Sequence, residues 1–238
     1  MVAEAANEMD KQLEDAQKLF NQKIQSHQLM CRIHSAYAGP GNKNHNCLGC
    51  NFNDLTQQIS SLVNVLANSN EVFTLEHGYS LYVFQLNCLW ERMCDVFNIL
   101  SVPESYRARH YQPFIRARRW ANFFKHPKEF GWLVHHPKYT IEGTQDHKDL
   151  VASHCDYLFV DDTFVKDFYA CDRAKGLAAK FETHQMTVAV VLPNLRDLTS
   201  GIAASLVNFV DLVTRNPVYF EVLNDKATVY DFYSKQCT

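Results

Sequence analysis

Residues 112–127 repeat their apolar side chains at helical spacing and then stop. At about 100° per residue, Phe114, Ala117, Trp120, Ala121 and Phe124 share one side. Arg119, Asn122 and His126 share another, at i, i+3 and i+7. Pro127 disfavours the helical state of the residue before it, so His126 stands at or near the helix end. A chain carrying this segment must bury one face of it against other elements. A guanidinium, an amide and an imidazole are then left together on the outer stripe.

The rest of the chain offers helical partners for that face. Glycine (8) and proline (7) are scarce in 238 residues, which favours helices over a turn-rich β architecture. Hydrophobic residues are 47% and charged residues 21%, enough for a folded core. Residues 3–30 read as a long polar helix with a narrow apolar seam: Met9, Leu13, Ala16, Leu19 or Phe20, Ile24 and Leu29. Such a seam implies packing against a partner helix or a second subunit. Leu55, Ile59, Leu62, Val63 and Leu66 predict a second helix over 52–67, with Asn53 or Asp54 as N-cap. A third runs from Thr74 or Leu75 to Leu100 through Leu81, Phe84, Leu86, Leu89, Met93, Val96 and Phe97, buried on more than one side. For Glu91, three positions stay open: facing the Arg119 stripe, pairing internally, or standing in solvent. Pro103 suits the first turn of a fourth helix, which carries Arg107, Arg109 and His110 and breaks at Pro113.

Beyond residue 130 the pattern changes. Short strands are expected at 132–134, 139–141 and 157–160, and Met186–Leu192 is apolar enough to be a central strand. A helix follows over about 195–214, with Ile202, Leu206, Phe209, Val210 and Val213 on its core side. Residues 218–223 and 228–233 read as a hairpin. Asp161-Asp162 is read as a turn cap rather than a cation site. The adjacent His135 and His136 point to opposite faces of an extended segment and form no metal site. The expected organisation is mainly α: an N-terminal helix over 1–30, a zinc knuckle over 31–52, a helical bundle over 53–130 and a smaller mixed α/β portion over 131–238.

Cys31-x2-His34, twelve residues, then Cys47-x2-Cys50 is a spacing that suits a structural zinc held tetrahedrally by those four side chains. Gly49 would let the second knuckle turn tightly. The other reading is a Cys-rich loop with free thiols. Cys88, Cys94, Cys155 and Cys171 sit in apolar or mixed surroundings and read as small core residues. The first residues are acidic and helix-forming, and no apolar run reaches transmembrane length, so a cytoplasmic protein without a membrane partner is expected.

The net charge is −3, but residues 101–140 hold eight Lys/Arg against two acids. A basic block in an acidic chain points to a local anionic partner, phosphate or nucleic acid, or to a solvated helix face. Arg119-x6-His126, with the ending Asn122-x-x-Lys125-His126, resembles the Arg-x4-6-His signature of the HEPN superfamily. These are small helical-bundle proteins, many of them metal-independent ribonucleases of toxin and phage-defence systems. The resemblance covers residues 53–127; where the family often places Asn directly after the Arg, this chain has Trp120. It implies metal-free RNA cleavage, with His126 moving the proton and Arg119 facing the charge that develops on phosphorus. Asn122 would hold the phosphate or the imidazole, while Arg116, Arg118 and Lys125 would guide the RNA backbone. It also implies a homodimer and an antitoxin protein as partners. A second reading is a non-catalytic HEPN-like module that binds RNA or protein and is stabilised by the zinc.

Overall fold

The computed structural model describes residues 2–23, 48–69, 71–125, 137–153, 157–168 and 187–224. Among the described residues five helices come first: α1 (Val2–Lys23), α2 (Leu48–Ala67), α3 (Val72–Ile99), α4 (Glu104–His110) and α5 (Gln112–Lys125). Then strands and helices alternate: β1 (Lys138–Ile141), α6 (Gln145–Ala152), β2 (Tyr157–Val160), α7 (Asp162–Phe168), β3 (Thr187–Leu192), α8 (Leu195–Arg215) and α9 (Pro217–Asn224). The protein is thus mainly α with a smaller α/β part.

Met9, Leu13, Ala16 and Phe20 of the α1 seam are buried. They are covered within the same chain, by α2 and α8. Phe20 stacks on Phe52 with ring centroids 3.7 Å apart. Asp10 accepts hydrogen bonds from Ser60 and Asn64 of α2. The second helix starts at Leu48, ahead of the expected caps Asn53 and Asp54. Leu48, Gly49 and Cys50 are therefore in its first turn, while Cys47 lies outside the described residues.

α3 buries Tyr79, Tyr82, Val83, Leu86, Leu89, Trp90, Met93, Val96 and Phe97, while Leu81 and Phe84 stand exposed. The expected burial of those two fails because the core lies on one side of α3 only at that level. Pro103 is the N-cap of α4, and the chain breaks at Tyr111 rather than at Pro113. Pro113 sits in the first turn of α5, where its missing N–H costs nothing.

Among the described residues the sheet is three-stranded and parallel, in the order β1-β3-β2. Lys138 pairs with Ala189 and Tyr157 with Thr187 at the starts of the two ladders. Thr187–Leu192, within the expected Met186–Leu192 run, is the central strand, as its apolar content requires. Three tyrosine hydroxyls tie the helical part to the segment after β3. Tyr79 donates to the Pro193 carbonyl at 2.7 Å, Tyr82 bonds Thr199 at 2.8 Å, and Tyr111 donates to Asn208 at 2.9 Å. The apolar interior runs without a break from Met9 to Leu223, across residue 130.

The expected strand at 218–223 is a helix, α9. Asn216 accepts from the backbone N–H of Val218 at 3.0 Å and of Tyr219 at 3.4 Å, and Pro217 takes the first helical position. The expected strands at 132–134 and 228–233 lie outside the described residues, as do His135, His136, Cys155 and Cys171.

α8 approaches α5 closely at one point. A Cβ on Gly201 would stand 2.8 Å from the Pro113 Cγ. Pro113 is a rigid ring, so it cannot swing aside. Gly201→Ala is expected to cost about 1–3 kcal/mol by forcing the helices apart, read as a lower urea midpoint with an unchanged slope.

Candidate functional site

α5 buries Phe114, Ala117, Trp120, Ala121 and Phe123. Phe123 rather than Phe124 completes the buried face; Phe124 is only partly covered. The opposite side carries the basic residues, and the structure separates them. Arg119 and Asn122 are partly exposed, and Arg118 and Lys125 are exposed. His126 lies outside the described residues.

Arg116 is held from two sides. Its guanidinium pairs with Asp162 of α7 and lies 3.5 Å from Glu142. Burial alone would lower the Arg116 pKa, but the bond to Asp162 and the charges of Asp162, Tyr79 and Glu142 outweigh it and raise it. The other oxygen of Asp162 accepts from the Trp120 indole N–H at 2.6 Å. One carboxylate thus locks two α5 side chains to α7. Its neighbour Asp161 caps α7, accepting from the Phe164 N–H at 2.9 Å, in line with the turn-cap reading.

These contacts gather at one end of the sheet. Glu142 follows β1, Asp162 follows β2 by two residues, and Asn194 follows β3 and caps α8. The Asn194 amide donates to the Glu142 carbonyl at 3.2 Å, tying two of these turns together. In parallel α/β sheets, ligands bind outside the carboxyl ends of the strands. Here α5 lies beside that end, and a cleft of about 340 Å³ opens between α5, α7 and the first turn of α8. Arg116, Arg119, Asp162, Lys166 and Asp197 are its charged lining. Arg119 makes no ion pair among the described residues. Asp197 and Leu198, in the first turns of α8, border the same space.

Arg118 faces a different recess, of about 630 Å³, with Glu91, Arg92, Asp95 and two cysteines. Glu91 accepts from Asn87 at 2.9 Å and lines the Arg118 recess, so among its three open positions it does not orient Arg119. Burial pushes the Cys94 thiol up to about 11 and raises that of Cys88 as well. At pH 8, about one Cys94 in a thousand is a thiolate. Iodoacetamide should leave Cys94 of the folded protein essentially unlabelled at pH 8, with labelling rising above pH 10, followed by mass spectrometry.

Cys31, His34 and Cys47 lie outside the described residues, and Cys50 is in the first turn of α2. Among the described residues no three His, Cys, Asp or Glu side chains are grouped to hold a metal ion, and no helix is long and apolar enough to cross a membrane. Lys166 and Asp197 were not singled out by the sequence. Both become neighbours of α5 only through the crossovers of the sheet. The one available signal was position, since each falls within the first two turns of a helix that follows a strand.

No family model, no curated protein and no solved structure matches this chain.

Proposed function

We propose that the protein is a metal-independent endoribonuclease of HEPN type, acting from the cleft between α5, α7 and α8. The observation that carries this reading is the position of Arg119. Its guanidinium borders an open cleft at the carboxyl ends of parallel strands and has no carboxylate partner among the described residues. Arg116, whose charge Asp162 already balances, is part of the wall and not a free contact for RNA.

In the proposed reaction a ribose 2′-oxygen attacks the adjacent phosphorus. The P–O5′ bond breaks, leaving a 2′,3′-cyclic phosphate on one product and a free 5′-hydroxyl on the other. One proton must leave the 2′-oxygen and one must reach the O5′ oxygen. His126, next after Lys125 at the end of α5, is the group assigned to proton movement near neutral pH. Arg119 presents two directed N–H groups to the phosphoryl oxygens as charge builds on them. Asn122, one turn on, supplies a neutral donor on the same stripe.

The resemblance also carries, as parts of the proposal, a place in a toxin–antitoxin or phage-defence system, a homodimer and an antitoxin partner. A structural zinc on Cys31, His34, Cys47 and Cys50 belongs with them and rests on ligand spacing alone. The deciding experiment is cleavage of a labelled single-stranded RNA in excess chelator. Cyclic-phosphate product that disappears in both Arg119→Ala and His126→Ala supports the nuclease. Salt-sensitive binding without cleavage selects the non-catalytic RNA-binding module instead.

A further inference from the structure

Five charged side chains line the cleft, and they do not act alike. Arg116 and Asp162 neutralise each other. Arg119, Lys166 and Asp197 remain, from three different helices, and none of the three has an ion pair among the described residues. Asp197 stands in the first turn of α8 and is exposed. Its backbone N–H is used, donating to the Asn194 side chain at 3.2 Å, while its carboxylate has no partner among the described residues. A ligand that fills this cleft therefore meets two cations and one carboxylate.

A carboxylate is an acceptor only. Polyphosphate and a DNA backbone also offer only acceptors, so Asp197 opposes both. An RNA strand differs at one point: each nucleotide carries a 2′-hydroxyl, which can donate. We infer that Asp197 is a specificity residue that accepts a hydrogen bond from the 2′-hydroxyl of the ribose on the O5′ side of the phosphate, the one that is not the nucleophile, while that phosphate lies against Arg119 and Lys166. The cleft thereby selects ribonucleotide over deoxyribonucleotide strands. This rests on the nucleic-acid reading of the Arg119 cleft and adds the sugar to it.

The test compares a short labelled oligouridylate with the matching oligodeoxyuridylate, which share their base and differ in the 2′-hydroxyl. Fluorescence anisotropy is measured on the full chain carrying His126→Ala, so that the RNA survives. The expected result is a preference for the RNA of about tenfold, the worth of one hydrogen bond to a charged group. Adding Asp197→Ala should bring the two affinities to within about twofold, with binding of the deoxy strand improved by the lost repulsion. An equal affinity for both strands before that change, or a preference that survives it, overturns the role of Asp197. Arg119→Ala should weaken both strands together. Binding of neither strand by the starting protein, or binding indifferent to Arg119→Ala, overturns the reading of the cleft itself, and the role of Asp197 with it.

Discussion

Arg119→Ala is expected to lower the rate of RNA cleavage by about a hundredfold or more while leaving the melting temperature nearly unchanged. Removing one fixed donor from a developing oxyanion typically costs that much in rate. Stability should hold because Arg119 is partly exposed and makes no ion pair among the described residues, so its loss strands no buried partner. Arg119→Lys separates charge from shape. It keeps the charge, so the slope of log affinity against log salt stays close to that of the original protein. It loses the planar pair of donors, so cleavage still falls. Arg116→Ala should behave in the opposite manner: it leaves Asp162 and Glu142 without their shared cation, and the protein destabilises. A rate for Arg119→Ala equal to that of the unaltered protein would end the nuclease proposal.

Trp120→Ala should cost about 4 kcal/mol of stability, the upper range for deleting a large buried ring. Trp120 is completely buried, packs edge-on against Phe123 at 5.5 Å between centroids, and donates its indole N–H to Asp162. The substitution removes the ring, leaves a cavity under the cleft and frees one oxygen of Asp162. Trp120→Phe fills most of the cavity and loses only the hydrogen bond, so it should cost about 1–2 kcal/mol. Urea unfolding of the three proteins, with a common slope, measures the two contributions separately. A Phe variant as unstable as the Ala variant would mean that the bond to Asp162, rather than the packing, holds α5 to α7.

The helices and the central strand could be read from periodicity and composition because each is shaped by its own residues. The six residues of β3 are all apolar or β-branched, and a sheet buried on both faces selects that content. Val218–Leu223 looks the same and is a helix. There the deciding signal is Asn216-Pro217, a capping side chain followed by proline in a first helical turn, and it outweighs the strand preference of Val218, Tyr219 and Val222. The start of α2 at Leu48 was not legible because the apolar pattern that marks this helix begins only at Phe52. The candidate site was legible on one wall only. Arg119 and Asn122 could be placed on one stripe from helical spacing, since α5 alone sets their relation, but of the two only Arg119 lines the cleft. The opposite wall could not, because Lys166 and Asp197 belong to helices that meet α5 by way of strand order. The separation of Arg118 from Arg119 follows from adjacent positions lying about 100° apart on a helix. Which of the two would find the open cleft depended on how α7 and α8 pack.

The strand order has a consequence for the way the chain acquires this shape. Among the described residues β1 and β2 bond only to β3, which is made last of the three, and α1 packs on α8, which is made later still, as well as on α2. During synthesis the side of α1 that α8 covers, and β1 and β2 with it, wait for those neighbours until some two hundred residues have left the ribosome. Contacts so distant along the chain make for slow folding. A truncation that removes β3 and α8 takes away the centre of the sheet and one wall of the cleft at once, so the site cannot be rescued from an N-terminal fragment.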